Sequence, residues 1–282
     1  MKILAIVVTY YPEKSLLKRN INAFIEHVDK VLIWENTPEL EKFKYRFIQH
    51  EKVEYCGDGI NSISHALNHG WHYAKDKDYD YLLTMDQDSQ WNDFDDFLKH
   101  TVNNPDTPVG VWGPFCCWEN ETQSINKSES IIQKYDCIIT SGMLISIGII
   151  DRIGGWNEFF DIDCVDDEFC LSANRLGINC YVIGMCKMNH HLGNPRLVKI
   201  LGKTAHVPNY TYKRLYGIYK SHVVLLRMFP EVQSIRSLFL NHWLPLIKWI
   251  VVCENDRLRK FFAILGGMIK GLVCRIPPKP FY

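Results

Sequence analysis

An α/β fold with a mainly parallel sheet is what this chain predicts, on three observations. Short apolar, β-branched runs alternate with stretches of helical periodicity. Their lengths suit strand–helix–strand units. The polar residues Thr9, Glu35 and Asp86 fall at the ends of such runs, where ligands sit in parallel sheets.

Taken in order, Lys2–Thr9 reads as a buried strand stopped by Tyr10-Tyr11-Pro12. Glu13–Val28 carries Leu16, Leu17, Ile21, Phe24, Ile25 and Val28 at helical spacing. Val31–Trp34 is a second strand, ending in Glu35-Asn36-Thr37-Pro38, and Val53–Cys56 a third. Asn61–Ala74 reads as a helix, and Tyr79–Met85 as a strand ending in Asp86-Gln87-Asp88-Ser89. Val109–Trp112, Ile138–Ile147 and Cys180–Ile183 are further strands, with a helix over Phe169–Leu176. After about residue 200 three apolar helical stretches follow: Tyr210–Phe229, Leu238–Cys253 and Phe261–Val273. The expected organisation is an α/β domain over 1–205 and a helical extension over 206–282.

The 282 residues are 47% hydrophobic, with 32 Lys+Arg against 32 Asp+Glu. That excludes a disordered chain and a globally basic nucleic-acid binder. The charge is unevenly spread. From Arg196 onward stand 15 Lys/Arg and 3 Asp/Glu, an excess of +12 that the first 195 residues balance. A basic, apolar tail of this kind points to an anionic membrane surface; no nucleic-acid motif appears in it. Ser237–Cys253, with Trp243, Trp249 and Lys248, is too short to span a bilayer comfortably and suits its interface. Packing on the α/β domain or on a second copy of the chain is the alternative for these helices. The N-terminal apolar run resembles neither a signal peptide nor a spanning segment, so a cytoplasmic location is expected, with peripheral attachment at the inner membrane face. The 10 Cys are scattered without zinc spacing and read as small buried hydrophobes.

Three clusters carry chemistry. Asp86 and Asp88, at i and i+2 beyond a strand, can converge on a hard cation such as Mg²⁺ or Mn²⁺, as a nucleotide diphosphate substrate would need beside carboxylates, or form a solvated acidic turn. Cys164-Val165-Asp166-Asp167-Glu168 offers a carboxylate able to accept a proton, and equally an acidic helix N-terminus. His190-His191-Leu192-Gly193 offers imidazole to an oxygen-rich site, or a structural pair.

In this order the motifs resemble glycosyltransferase family 2, with its GT-A fold, and within it the bacterial rhamnosyltransferase-like enzymes of O-antigen and capsule synthesis. Val8-Thr9-Tyr10-Tyr11-Pro12 is similar to the family's opening strand end. Leu32-Ile33-Trp34-Glu35-Asn36-Thr37, Ala66-Leu67-Asn68-His69-Gly70, Thr84-Met85-Asp86-Gln87-Asp88-Ser89 and Thr140-Ser141-Gly142 match its next motifs. Phe160 to Leu171, His190 to Gly193 and Arg214 to Lys220 complete the series. The resemblance implies that Thr9, Tyr10 and Glu35 border the base and ribose, with Asn36, Asn68, Ser141 and Gly142 also in the nucleotide-sugar pocket. It implies Asp86, Asp88 and His190 as ligands of Mn²⁺ or Mg²⁺, Asp166 as general base, and Arg214 and Lys220 near the diphosphate or the acceptor's anionic group. The implied reaction is an inverting transfer, best matched by rhamnose from dTDP-rhamnose, to a saccharide acceptor on a polyprenyl diphosphate. Glu35 stands where the family has Asp, and Ser172 where it has Arg. A degenerate nucleotide-sugar-binding scaffold is the competing reading. A nucleotidyltransferase would want a Gly-rich basic loop where Tyr10-Tyr11-Pro12-Glu13 stands.

Overall fold

A computed structural model of the chain describes residues 1–38, 42–118, 132–190, 196–200, 203–207 and 209–276. Two compact units divide it, Met1–His191 and Leu192–Tyr282, where the sequence placed the boundary after residue 205.

The first unit is mixed α/β. Its elements are β1 (Ile3–Thr9), α1 (Lys14–Asn22), β2 (Lys30–Glu35), β3 (Val53–Cys56), α2 (Ile63–Asp76), β4 (Tyr81–Asp86), β5 (Ser89–Trp91), α3 (Phe94–His100), β6 (Val111–Trp118), β7 (Ile132–Tyr135), β8 (Met143–Ser146), α4 (Ile147–Ile153), α5 (Val165–Arg175) and β9 (Cys180–His190). The strand order is β3-β2-β1-β4-β8-β6-β9-β5, with β7 also on β9. The pairs joining β3, β2, β1 and β4 are all parallel. β1 is buried along its whole length, as a strand covered on both faces must be. Ile3, Ala5 and Val7 pack with Leu17, Ile21 and Phe24 in the main core. α2 closes against β1 at Gly70, where a Cβ would fall 2.6 Å from Ile6 Cδ1 and 3.1 Å from Ile6 Cβ. A glycine there lets the helix axis approach the strand.

Several elements differ from the sequence expectation. The helix over Glu13–Val28 is cut at Asn22, and a 3₁₀ turn at Ile25–His27 follows. The run Ile138–Ile147 is a strand only from Met143 to Ser146; Ser146 then caps α4, accepting from the Ile149 N–H. The helix expected from Phe169 begins at Val165, so the acidic cluster is its first turn. β5, α3, β7 and α4 were not foreseen. β5 and β7 are too short to show a period of their own and exist because β9 pairs with both.

The second unit holds the hairpin β10 (Arg196–Ile200) and β11 (Lys203–Val207), then α6 (Tyr212–Met228), α7 (Gln233–Leu238), α8 (Leu244–Cys253) and α9 (Arg257–Val273). The helix expected over Leu238–Cys253 is interrupted by a π turn at Phe239–Trp243, just before Pro245. Proline lacks the N–H of the ordinary ladder, and a wider turn accommodates its ring. Leu215, Ile218, Tyr219, Val223, Phe239, Ile250 and Ile264 form this unit's core. Glu254 and Lys260 pair at 2.6 Å within it, and Glu254 Oε1 accepts the Asn209 N–H. Among the described residues, no helix is long and apolar enough to cross a membrane.

Gly70→Val should destabilise the chain by about 1–3 kcal/mol, because its methyls overlap Ile6 in a packed interior. Urea unfolding checks this; an unshifted midpoint would contradict the close approach of α2 and β1.

Candidate functional site

Parallel pairing sets polar strand ends side by side. Thr9 of β1 lies opposite Glu35 of β2, and Val8 opposite Asp86 of β4. Asp88 follows in the turn into β5, half-buried like Asp86. Asp166 enters from the first turn of α5, which begins after Cys164 takes a left-handed φ of 64°.

The segment 140–142 joins these groups. Ser141 Oγ accepts from the Asp86 N–H at 3.0 Å, while the Thr140 N–H donates to the Asp166 carboxylate. Thr84 Oγ1 donates to the Thr140 carbonyl, and the Gly142 N–H to the Thr84 carbonyl at 2.7 Å. Gly142 has φ 85°, and a Cβ on it would fall 2.7 Å from Pro114 Cδ. Glycine serves here for both conformation and space.

Like charges crowd the site. Loss of surrounding water pushes the Asp86 carboxyl up to about 7, helped by the negative charges of Asp88 and Asp166. Burial raises Asp166 too, against the N–H groups of Asp167 and Thr140 that favour its charged form. Asp167 is pushed up to about 7 by burial and then by Asp166. Among the described residues, no cationic side chain figures in the field at Asp86. A set of hard oxygen donors held in this state fits a divalent cation of the Mg²⁺ or Mn²⁺ kind.

The remaining expected residues divide between the pocket and its scaffold. Glu35 is buried; its Oε2 accepts from Arg46 Nε at 3.0 Å and Nη2 at 2.7 Å, while its Oε1 has no partner among the described residues. Asn36 Nδ2 donates to the Ser62 carbonyl at 3.3 Å, and its Oδ1 is likewise left over. Thr9 Oγ1 is spent on the Trp34 carbonyl at 3.1 Å. Tyr10 is exposed, but its backbone is bracketed by Gln87, whose Oε1 accepts the Tyr10 N–H and whose Nε2 donates to the Tyr10 carbonyl. Asn68 is committed to the fold. Its Nδ2 donates to the Trp156 carbonyl and Glu158 Oε1, and its Oδ1 accepts the Trp156 N–H. Both ends of the amide thus orient the 154–158 segment. Ser172 donates to the buried Glu168 Oε1 at 2.8 Å.

His190 ends β9, its backbone paired with Ser89 next to Asp88; its side chain and His191–Gly193 lie outside the described residues. Arg214 and Lys220 lie on α6 of the second unit. Sequence reasoning missed Gln87 and Arg46. Gln87 was visible between the two aspartates, yet its job became apparent only once β1 and β4 were adjacent. Arg46 lies in an irregular stretch with no pattern to mark it.

No protein-family model matches the chain. The dTDP-rhamnosyl transferase RfbF of Shigella flexneri is 30% identical over 251 residues, covering 82% of this chain and 84% of that protein. Among solved structures, GalNAc-T7 with UDP, GalNAc and Mn²⁺ has a TM-score of 0.60 at 10% identity, over 93% of this chain and 53% of that one. The mannosyltransferase PcManGT of Pyrobaculum calidifontis, in complex with GDP-Man and Mn²⁺, has a TM-score of 0.56 at 10% identity, over 98% and 76%. The chain thus spans about half the length of GalNAc-T7. These likenesses give the first unit's architecture its name, the GT-A fold. Strand ends, carboxylates and relative agree: the chain is a glycosyltransferase and belongs to the family of the Shigella rhamnosyl transferase.

Proposed function

We propose that the chain is an inverting, divalent-cation-dependent rhamnosyltransferase of glycosyltransferase family 2. It moves rhamnose from dTDP-rhamnose to a saccharide hydroxyl on a growing surface polysaccharide carried by a polyprenyl diphosphate. The observation that carries the chemistry is the double anchorage of segment 140–142, to Asp86 through Ser141 and to Asp166 through Thr140. The donor follows from the relative's name.

In this reading Asp86 and Asp88 hold the cation, with His190 as a third ligand. A bound Mn²⁺ or Mg²⁺ would supply neutralising charge to the departing diphosphate. Asp166 takes the proton of the acceptor hydroxyl as that oxygen attacks the anomeric carbon from the face opposite the nucleotide. The Thr140 N–H keeps the Asp166 carboxylate oriented while it does so. Glu35 and Asn36 offer their unpartnered oxygens to donors on the base edge, and Arg46 holds Glu35 in place. Arg214 and Lys220 serve anionic groups of donor or acceptor.

Asp166→Asn should abolish transfer, since an amide cannot accept the proton, while dTDP-rhamnose still shifts the thermal midpoint. Turnover near wild type would remove Asp166 from the role. Transfer should stop in EDTA and return with Mn²⁺ or Mg²⁺; full activity in chelator would refute the cation. The donor is tested by release of dTDP from dTDP-rhamnose against UDP- and GDP-sugars, and preference for another sugar would overturn it.

Stability carries a further signature. With Asp86 near 7 when folded and near 3.8 when unfolded, the folded chain binds more protons between those values. Stability of the cation-free chain should therefore fall as pH rises from about 4 to 7 and level off above. Asp86→Asn should make that fall shallower without removing it, since Asp167 shifts the same way. Urea midpoints from pH 4 to 8 read this directly, and identical slopes would contradict the crowded site.

A further inference from the structure

We propose that the second unit docks on an anionic lipid bilayer through the outer face of α9, with the helix lying in the plane of the interface. α9 carries two apolar stripes. The inner one, with Ile264, Gly267 and Gly271, is buried, and Ile264 joins the core with Leu215 and Ile218 of α6. The outer one is Leu258, Phe262, Leu265, Ile269 and Leu272, spaced i, i+4, i+7, i+11 and i+14, with Phe261 beside it. Leu258 is 70% exposed, Phe262 65%, Ile269 52% and Leu272 60%. Exposed apolar residues scattered singly need no explanation, but a continuous stripe along a whole helix does.

Charge selects the occupant. At about 100° per residue, Arg257 falls on one flank of the outer stripe, and Arg259 and Lys270 on the other. No acidic residue lies between Arg257 and Val273. A second copy laid on this face would set these cations against their own kind. An anionic bilayer takes the apolar side chains into its acyl boundary and meets both flanks with phosphates. Beside the stripe, Arg259 sits 3.8 Å over the Tyr212 ring. A cavity of about 410 Å³ opens there, lined by Tyr212, Lys213, Tyr216, Arg259, Phe262 and Ala263. Two cations among aromatic rings suit a lipid headgroup phosphate. At roughly 1.5 Å per residue α9 spans about 25 Å, short of a hydrocarbon core of roughly 30 Å, which agrees with lying flat.

The test is co-sedimentation of the full chain with vesicles of phosphatidylcholine, alone or with about one third phosphatidylglycerol. Binding should favour the anionic vesicles and weaken in high salt. Phe262→Glu with Ile269→Glu should lower the partition coefficient roughly tenfold or more. Release of dTDP from the donor should be unchanged, so failure here is separable from failure of the transfer reading. If that variant unfolds, Arg257→Gln with Lys270→Gln, both at exposed positions, should weaken binding to the anionic vesicles alone. No sedimentation of the wild type, or equal partition of a folded variant, overturns the proposal. So does a wild-type dimer by light scattering that the Phe262→Glu, Ile269→Glu variant turns into a monomer without any vesicle binding.

Discussion

Crowding of like charges at Asp86, Asp88 and Asp166 is the constraint around which the first unit is built. Placing a carboxylate away from water beside two others costs free energy, and that environment pushes the Asp86 carboxyl up to about 7. The fold offsets part of it with backbone donors. Thr140 and Asp167 direct N–H groups at Asp166, and the first turn of α5 adds its own favourable dipole. Such a site is poised to take up positive charge, as a hexosyltransferase handling a nucleotide diphosphate would need.

Several side chains hold that arrangement through hydrogen bonds. Gln87 locks the end of β1 to the turn after β4, and Asn20 of α1 donates to the Gln87 carbonyl. Asn68 clasps the segment leading toward α5 from the opposite side. β9 runs long enough to pair with β6 on one edge and with both β7 and β5 on the other, so the turn carrying Asp88 is tied to the sheet. Rigid strands and short tethers give a site the positional precision that loops alone lack.

The second unit has a different logic. Its interior is closed by a buried Glu254–Lys260 pair and by aromatic contacts around Tyr219 and Trp243. α9 packs on α6 and α8 and nonetheless leaves Leu258, Phe262, Ile269 and Leu272 exposed.

Local pattern carried far in the sequence. Val53–Cys56 was read at its observed bounds, β1 within a residue, and Asp86 just past a strand that includes it as its last residue, because β-branched runs and strand-ending residues declare themselves over short windows. The motif order led to the GT-A architecture that the relatives share. What stayed hidden were features made by distant contacts: β5 and β7, which are strands only because β9 lies beside them, and the π turn before Pro245. The commitment of Asn68 to Trp156 and Glu158, and the clamp of Arg46 on Glu35, were equally invisible. Residue order along the chain thus determined where the first parallel strands lie and which side chains could do chemistry. Tertiary structure alone decided which of those side chains remain available, because hydrogen-bond partners and loss of water come from segments brought together only by folding.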